Sequence, residues 1–156
     1  MSYTGDGEVN ATLRQEAALE RVTSRATEAL LVATGSMTAG RYGLFRWDMR
    51  PRAGGPKPHF HRTYSEAFYV LAGVVRVFDG EQWSDATTGD FLYVPEGGIH
   101  AFENVTDAPA SMLILFAPGA PREAYFKELA AIQREGRTLS AVELADLYAR
   151  HDQTMI

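Results

Sequence analysis

Three histidines and one glutamate near the middle of the chain have the types and spacing that could do chemistry. His59 and His61 flank a phenylalanine, Glu66 follows after four further residues, and His100 lies downstream. Imidazole and carboxylate groups without a thiolate suit Fe, Mn, Ni, Cu or Zn about equally well as ligands. The sequence therefore predicts a site for one divalent transition metal per subunit, without naming the metal.

The spacing of these residues constrains the elements that carry them. Residues two apart in a β-strand project from the same face, so His59 and His61 could reach one ion together. Glu66 lies an odd number of residues from His61 and would face the other way in an unbroken strand. A bend or bulge is therefore needed, and we expect it at residues 62–65. The alternative is that both histidines are surface residues of a polar loop.

Alternating and apolar runs predict a chain made mostly of strands. Asp79-Gly80 is typical of a tight hairpin turn, in which both central residues need a positive φ. Many short strands separated by Gly and Pro turns predict an all-β antiparallel sandwich or barrel. The predicted strands cover residues 29–33, 42–49, 65–71, 74–78, 91–94, 101–104 and 112–116. In the second of these, we expect Phe45, Trp47 and Met49 to line the interior.

The two ends of the chain have different patterns. Pro121 begins a helical pattern that ends at Gly136, and a capping box at residues 140–143 begins a second helix. We expect both helices to pack outside the sheet. Residues 12–15 could open a short helix through Val22, and a mobile tail is the alternative. His151 is expected at the surface, although it could also cap the mouth of a pocket.

Composition limits the classes of function. The chain has 156 residues, 46% of them apolar, which is enough for one core and one domain. Without cysteine it has no disulfide or thiolate site, which favours a cytoplasmic location. A net charge of -5 argues against nucleic acid and anionic membranes as partners. No apolar run is long enough to span a membrane, and residues 1–10 do not form a secretory signal.

Two segments, residues 54–73 and 89–104, resemble the two conserved motifs of the cupin superfamily. The first segment has His59, His61, Glu66 and Gly73 in register, although Ala53 stands where the family has glycine. The second segment matches at every position, with Gly89, Pro95, Gly97, His100 and Asn104. The resemblance implies that His59, His61, Glu66 and His100 are the metal ligands, whereas Asn104 and the glycines are structural.

The resemblance also implies an architecture. It implies an antiparallel jelly-roll barrel at residues 26–118, an N-terminal arm at residues 1–25 and a C-terminal helical segment at residues 119–156 that packs on the barrel. In many cupins such an arm packs on a partner subunit, so a homodimer is expected.

Strand alternation also proposes the walls of a pocket beside the metal. Counting by twos from Glu66 places Phe68 and Val70 on the metal face, and counting from His100 places Phe102 there. Further candidates, which could equally be ordinary core, are Phe45, Trp47, Met112, Ile114 and Phe116. An aromatic, apolar cavity of this kind is typical of a site for a small-molecule substrate or ligand.

The resemblance leaves several functions open, because one site type hosts many chemistries. The chain is similar to the quercetin dioxygenase-like branch, which implies a metal-dependent dioxygenase, an oxidoreductase, acting on an aromatic or enolisable small molecule with Glu66 as base. Isomerase, lyase or cyclase chemistry is an alternative, with Tyr64 as a catalytic acid or base. A non-catalytic module that binds a small molecule or a metal is another.

Overall fold

The chain forms short β-strands and two C-terminal helices. The computed structural model describes residues 2–156. The strands are β1 (Arg21–Thr23), β2 (Thr27–Ala33), β3 (Gly43–Met49), β4 (His59–Phe60), β5 (Ser65–Ala72), β6 (Val74–Phe78), β7 (Trp83–Thr87), β8 (Phe91–Val94), β9 (Ala101–Glu103), β10 (Ala110–Ala117) and β11 (Thr154–Met155). The helices are α1 (Arg122–Arg134) and α2 (Ala141–Arg150). No helix within residues 2–156 is long and apolar enough to cross a membrane.

The strands form antiparallel sheets, as predicted. The largest sheet has the order β1-β2-β3-β10-β5-β8, and smaller sheets have the orders β7-β6-β9 and β11-β4. An isolated bridge between His59 and His100 joins β4 to the start of β9. The all-β jelly-roll class, with an N-terminal arm and two C-terminal helices, is confirmed. Within residues 2–156 the sheets do not close into one continuous ladder.

The register of the large sheet defines its inner face. Phe45 on β3 pairs with Ile114 on β10, which pairs with Phe68 on β5. Phe116 pairs in turn with Glu66. Because paired residues project from the same face, the aromatic and aliphatic residues of β3 and β10 lie on the face that carries Glu66. The sequence alone could not establish this relation.

The core lies on this inner face. Phe45 and Met49 are fully buried and Trp47 is partly buried, which confirms the predicted inward face of β3. Met112, Ile114 and Phe116 alternate with more exposed residues along β10. Each fully buried side chain of this size contributes about 1.5–3 kcal/mol to stability through the hydrophobic effect.

The two helices begin where their sequence signals indicate. The Ser140 side chain accepts a hydrogen bond from the Glu143 N–H, and the Glu143 carboxylate accepts one from the Ser140 N–H, so the capping box is confirmed. Helix α1 ends just before Gly136, whose positive φ stops the helix. The expectation that the helices pack outside the sheet is wrong for α1. The Phe126 ring lies 5.3 Å from that of Phe45 and 5.0 Å from that of Trp47, on the inner face.

The N-terminal arm does not form the predicted helix. Only a 3₁₀ turn at Glu16–Ala18 is present, and β1 follows it along β2. The segment lacks an apolar stripe that a helix could bury, and Leu13 is 85% exposed. Polar contacts attach the arm instead, since the Arg14 guanidinium donates hydrogen bonds to the carbonyl oxygens of Leu31 and Val32.

Candidate metal centre

The four candidate ligands meet at one point inside the protein. His59 lies on β4 and His61 directly follows it, Glu66 lies on β5, and His100 immediately precedes β9. One ligand atom from each side chain lies within 4.8 Å of the others. All four side chains are buried, with 1–4% of each residue exposed. The fold therefore assembles the ligand set that the resemblance implied.

The segment before β4 positions His59 through glycine. A Cβ atom on Gly55 would lie 1.6 Å from the carbonyl oxygen of Phe102, so only glycine fits against β9 here. The Asn104 amide donates hydrogen bonds to the carbonyl oxygens of Arg50 and Ala108, which ties the same segment to the end of β9. Ala53 is tolerated at the family's glycine position, where it is buried.

The chain bends between His61 and Glu66, as the parity argument required. Residues 61–64 lie between β4 and β5 and belong to neither strand. The Asp152 carboxylate holds this bend by accepting hydrogen bonds from the Arg62 and Thr63 N–H groups and from the Thr63 hydroxyl. The bend lets the Glu66 Oε2 atom lie 3.1 Å from the His61 Nε2 atom. The contribution of Asp152 has no signal in the sequence.

The hydrogen bonds of the histidines test whether a metal fits. Each Nδ1 atom faces a backbone carbonyl oxygen: His59 faces Lys57 at 2.8 Å, His61 faces Asp152 at 2.6 Å, and His100 faces Gly98 at 3.0 Å. A carbonyl only accepts, so each Nδ1 atom carries a proton, which leaves Nε2 as the atom of each ring that can ligate a metal.

The Nε2 atoms of two of these rings face a carboxylate. The Nε2 atoms of His61 and His100 lie 3.1 and 2.9 Å from the Glu66 Oε2 atom. Three imidazole nitrogens and a carboxylate that converge in a buried space match the ligand set of a divalent transition metal, so the site fits such an ion. These residues would hold the metal.

The protonation states of His59 and Glu66 favour metal binding. Burial, followed by repulsion from His100, lowers the pKa of His59 to about 3. Burial opposes ionisation of Glu66, but hydrogen bonds from His100 and His61 outweigh it and lower the pKa of this carboxyl. At neutral pH the site thus offers a neutral imidazole at His59 and an ionised carboxylate, the forms that ligate a metal.

A cavity of about 290 Å³ borders this centre. Of the four ligands, His59 and Glu66 line it. The predicted pocket residues that also line it are Trp47, Phe102, Ile114 and Phe116. The other predicted pocket residues, Phe45, Phe68, Val70 and Met112, are buried in the core and are absent from the lining. They lie on the correct face, but neighbouring side chains cover them.

Comparison with known proteins agrees with this geometry. Residues 45–116 match the sequence profile of the cupin domain family. That segment contains all four candidate ligands. The chain therefore contains a cupin domain. None of the curated proteins is a significant match.

Solved structures share the fold of this cupin domain. A cupin-superfamily sugar phosphate isomerase from Silicibacter pomeroyi superposes with a TM-score of 0.59 at 22% identity, covering 68% of this chain and 75% of that one. The polyketide cyclase RemF from Streptomyces resistomycificus superposes with a TM-score of 0.59 at 18% identity, covering 69% of this chain and 80% of that one. A predicted oxalate decarboxylase from Thermotoga maritima superposes with a TM-score of 0.61 at 17% identity, covering 69% of this chain and 99% of that one. At these identities the likeness concerns the fold.

Tyr64 lies behind the ligands of the cupin domain. Its ring stacks on His61 at 4.5 Å, and its hydroxyl lies 2.9 Å from the His61 Nδ1 atom. It is buried, which raises the pKa of its hydroxyl, and it does not line the cavity. Its position lets it orient His61, whereas the predicted acid or base role would need contact with the cavity.

Sequence reasoning missed the cavity wall that lies outside the matched cupin segment. Arg122, Tyr125, Phe126 and Leu129 of α1 line the cavity. The available signal was the aromatic pair beside an arginine in the first turns of a helix, but the helix was expected on the other side of the sheet. His151 neither ligates nor lines the cavity, and its Nε2 atom lies 2.9 Å from a carboxylate oxygen of Glu128.

Proposed function

We propose that this protein is a metal-dependent enzyme that transforms a small aromatic or enolisable molecule, with dioxygenation as the reaction. The observation that carries the proposal is the shared wall: His59 and Glu66 belong both to the candidate metal centre and to the apolar cavity. A molecule in the cavity would therefore border the metal. A bound metal of this kind supplies Lewis acidity toward a substrate oxygen and, for a redox-active ion, electron transfer.

The protein's own side chains would perform three tasks. Trp47, Phe102 and Phe126 offer aromatic surfaces that can orient a ring and exclude water. Glu66 would accept a proton from the substrate. The lowered pKa of Glu66 makes it a weak base, so the proton that it accepts would come from an acidic hydroxyl or enol of the substrate, and a bound metal would supply that acidity.

A second candidate is non-oxidative proton transfer, as in isomerisation or ring closure. Two similar structures are described as a sugar phosphate isomerase and a polyketide cyclase. Glu66 supports this candidate equally well, because either reaction needs a base beside the cavity. Oxygen consumption separates the two candidates, since only the oxidative reaction uses O₂.

The test compares metal-loaded wild type with Glu66→Gln at equal metal content. Substrate loss and O₂ uptake are measured together on a panel of enolisable aromatic compounds. We expect the wild type to consume both and Glu66→Gln to be about 10²-fold slower or worse, because an amide cannot accept the proton. His151→Ala, outside the cavity, is the matched control and should retain the wild-type rate.

Each result of this experiment distinguishes between the candidate functions. Substrate loss without O₂ uptake would replace the dioxygenase by the non-oxidative enzyme. Equal rates for wild type and Glu66→Gln would refute Glu66 as the base. Binding with no substrate loss on oxygenase, isomerase and lyase panels would identify a non-catalytic binding module instead.

A further inference from the structure

Arg122 is a buried cation in the cavity wall. It occupies the first turn of α1, is 5% exposed, and lines the cavity that also contains His59 and Glu66. Long charged side chains are rarely buried to this degree unless an opposite charge accompanies them. Within residues 2–156, Arg122 forms no salt bridge to a carboxylate, unlike the surface pairs of Arg52 or Arg150.

The guanidinium is only partly satisfied by neutral groups. Its Nη1 atom donates to the His151 carbonyl oxygen at 3.0 Å, and its Nη2 atom donates to the Gln153 Oε1 atom at 3.2 Å. Its Nε atom is buried and has no hydrogen-bond partner among the described residues. A buried charge with an unused donor is unfavourable, so the site has an unfilled requirement for an anionic acceptor.

The surrounding rings do not meet that requirement. The guanidinium carbon lies 4.2 Å from the centre of the Tyr125 ring and 5.5 and 5.6 Å from those of Phe116 and Phe126. These rings offset part of the charge through cation–π interactions and also line the cavity. Ring faces accept no planar pair of hydrogen bonds, whereas a carboxylate matches the guanidinium fork.

We propose that Arg122 is an anion subsite that binds a carboxylate group of the substrate, with the apolar body of that molecule against the rings of Phe116 and Phe126. The inference rests on the proposed function insofar as the cavity ligand is the substrate. A carboxylate fits better than a phosphate because, among the described residues, Arg122 is the one Lys or Arg side chain in the lining, and a single cation balances a single negative charge. The substrate class is thus a small aromatic or apolar carboxylate.

Calorimetric titration tests the subsite without requiring turnover. The probes are 3-phenylpropionate, its neutral amide and phenyl phosphate, each titrated into metal-loaded protein and into protein treated with a chelator. We expect the carboxylate to bind about tenfold or more tightly than the amide, as a charge-assisted pair requires, and this preference to persist after chelation. The affinity for phenyl phosphate should not exceed the affinity for 3-phenylpropionate.

Variants of Arg122 test whether this side chain is the cation that binds the carboxylate. Arg122→Gln should abolish the carboxylate preference, Arg122→Lys should retain part of it, and Arg41→Gln, at an exposed arginine outside the cavity, should leave it unchanged. The ratio between two probes on one sample does not depend on the fraction of protein that is folded, so a destabilised variant remains informative.

Results that contradict the anion subsite can be distinguished from results that contradict the proposed function. A preference that survives in Arg122→Gln, or disappears on chelation in the wild type, would assign the carboxylate to the metal and overturn the subsite. Tighter binding of phenyl phosphate would overturn the carboxylate class. Loss of the preference in Arg122→Gln together with no turnover of any compound would support the subsite and sink the enzyme proposal.

Discussion

The three histidines of the metal centre share one arrangement, in which Nδ1 faces a backbone carbonyl and Nε2 faces the centre. Backbone acceptors fix the ring orientation without depending on a neighbouring side chain. His61 has an additional contact from the Tyr64 hydroxyl. We therefore expect the centre to be sensitive to loss of a ligand and tolerant of many substitutions around it.

Removal of one ligand should strip most of the metal. We expect His61→Ala to weaken metal affinity by more than the roughly 10–100-fold that disturbing an outer partner costs. His151→Ala should bind metal as the wild type does, because His151 contacts Glu128 instead. Metal content after dialysis, measured by mass spectrometry, checks both. Unchanged metal in His61→Ala would contradict the assignment.

We expect Asp152 to make the free energy of unfolding depend on pH in the acid range. Partial burial opposes its ionisation, but hydrogen bonds from Thr63 and Arg62 lower the pKa of the Asp152 carboxyl. A lowered folded-state pKa gives stability that is complete above the unfolded-state pKa of about 4 and is lost as pH falls through the folded value. We expect Asp152→Asn to reduce the free energy of unfolding by about 1 kcal/mol at pH 7.

Urea denaturation of the wild type and Asp152→Asn across pH checks this prediction. The difference between the two proteins should be constant above about pH 5 and should shrink below about pH 4. Asn tolerates the left-handed backbone at this position, where φ is 50°, so the substitution tests the charge and its acceptors. A difference independent of pH would refute the role of the carboxylate.

At the scale of single residues, the sequence predicted the candidate ligands better than the residues that line the cavity. His59 and His61 follow from local spacing, which a strand translates directly into direction. Glu66 and His100 were assigned through the resemblance to the two cupin motifs. Which aromatic residues border open space depends on what covers them, as Phe126 covers Phe45. That covering is a long-range contact with no local signal.

Among the elements, β11 contacts the strand that carries a candidate ligand although it has only two residues. Its two residues pair with β4, opposite His59 and Phe60. The preceding Asp152 supplies the carbonyl oxygen that faces His61 Nδ1. The C-terminal segment, defined as residues 151–156, therefore holds the strand and the bend that carry two ligands.

Deletion of residues 152–156 should weaken the metal centre although it removes no ligand. We expect metal affinity to fall about 10–100-fold, the cost of losing an outer hydrogen-bond partner. Deletion of residues 2–9, which are exposed, should leave metal affinity unchanged and serves as the control. Competition with a coloured chelator measures both. Equal affinity in the two truncated proteins would contradict the role of the C-terminal segment.

Element prediction succeeded where a pattern was long or its chemistry was local, and it failed for strands that are short or mostly exposed. The capping box at Ser140 was confirmed, because cap chemistry is local. The sequence patterns do not predict β1, β7 and β11: two have three residues or fewer, and β7 is mostly exposed. The side of the sheet on which α1 packs depends on its partners on β3 and β10, which its own sequence does not encode.

For the whole molecule, the outer face of the large sheet carries an exposed row of apolar residues near its edge strand β8. Tyr69 pairs with Phe91 across β5 and β8, and Phe91 is 64% exposed. The row comprises Tyr69, Leu71, Phe91, Tyr93 and Leu115. An edge strand with unpaired backbone groups beside such a row is a favourable surface for a second copy of the chain.

We propose that this face forms the expected homodimer. Sedimentation of the wild type at micromolar concentration should give twice the chain mass of 17.2 kDa. Phe91→Glu should give a monomer, because it would bury a charge in the interface. Leu13→Glu, in the N-terminal arm, distinguishes the two candidate surfaces: if it alone dissociates the dimer, the arm forms the interface. A wild-type mass near 17.2 kDa would contradict both.

The contacts of the C-terminal segment also bear on how the protein should be produced. The Ile156 N–H donates to the Pro58 carbonyl oxygen, one residue before a candidate ligand. A purification tag fused after Ile156 would disturb the pairing of β11 with β4. If the tag contained histidines, it would also compete for the metal. A cleavable tag ahead of the exposed N-terminal arm avoids both effects, so metal content and activity should be measured on protein prepared in that way.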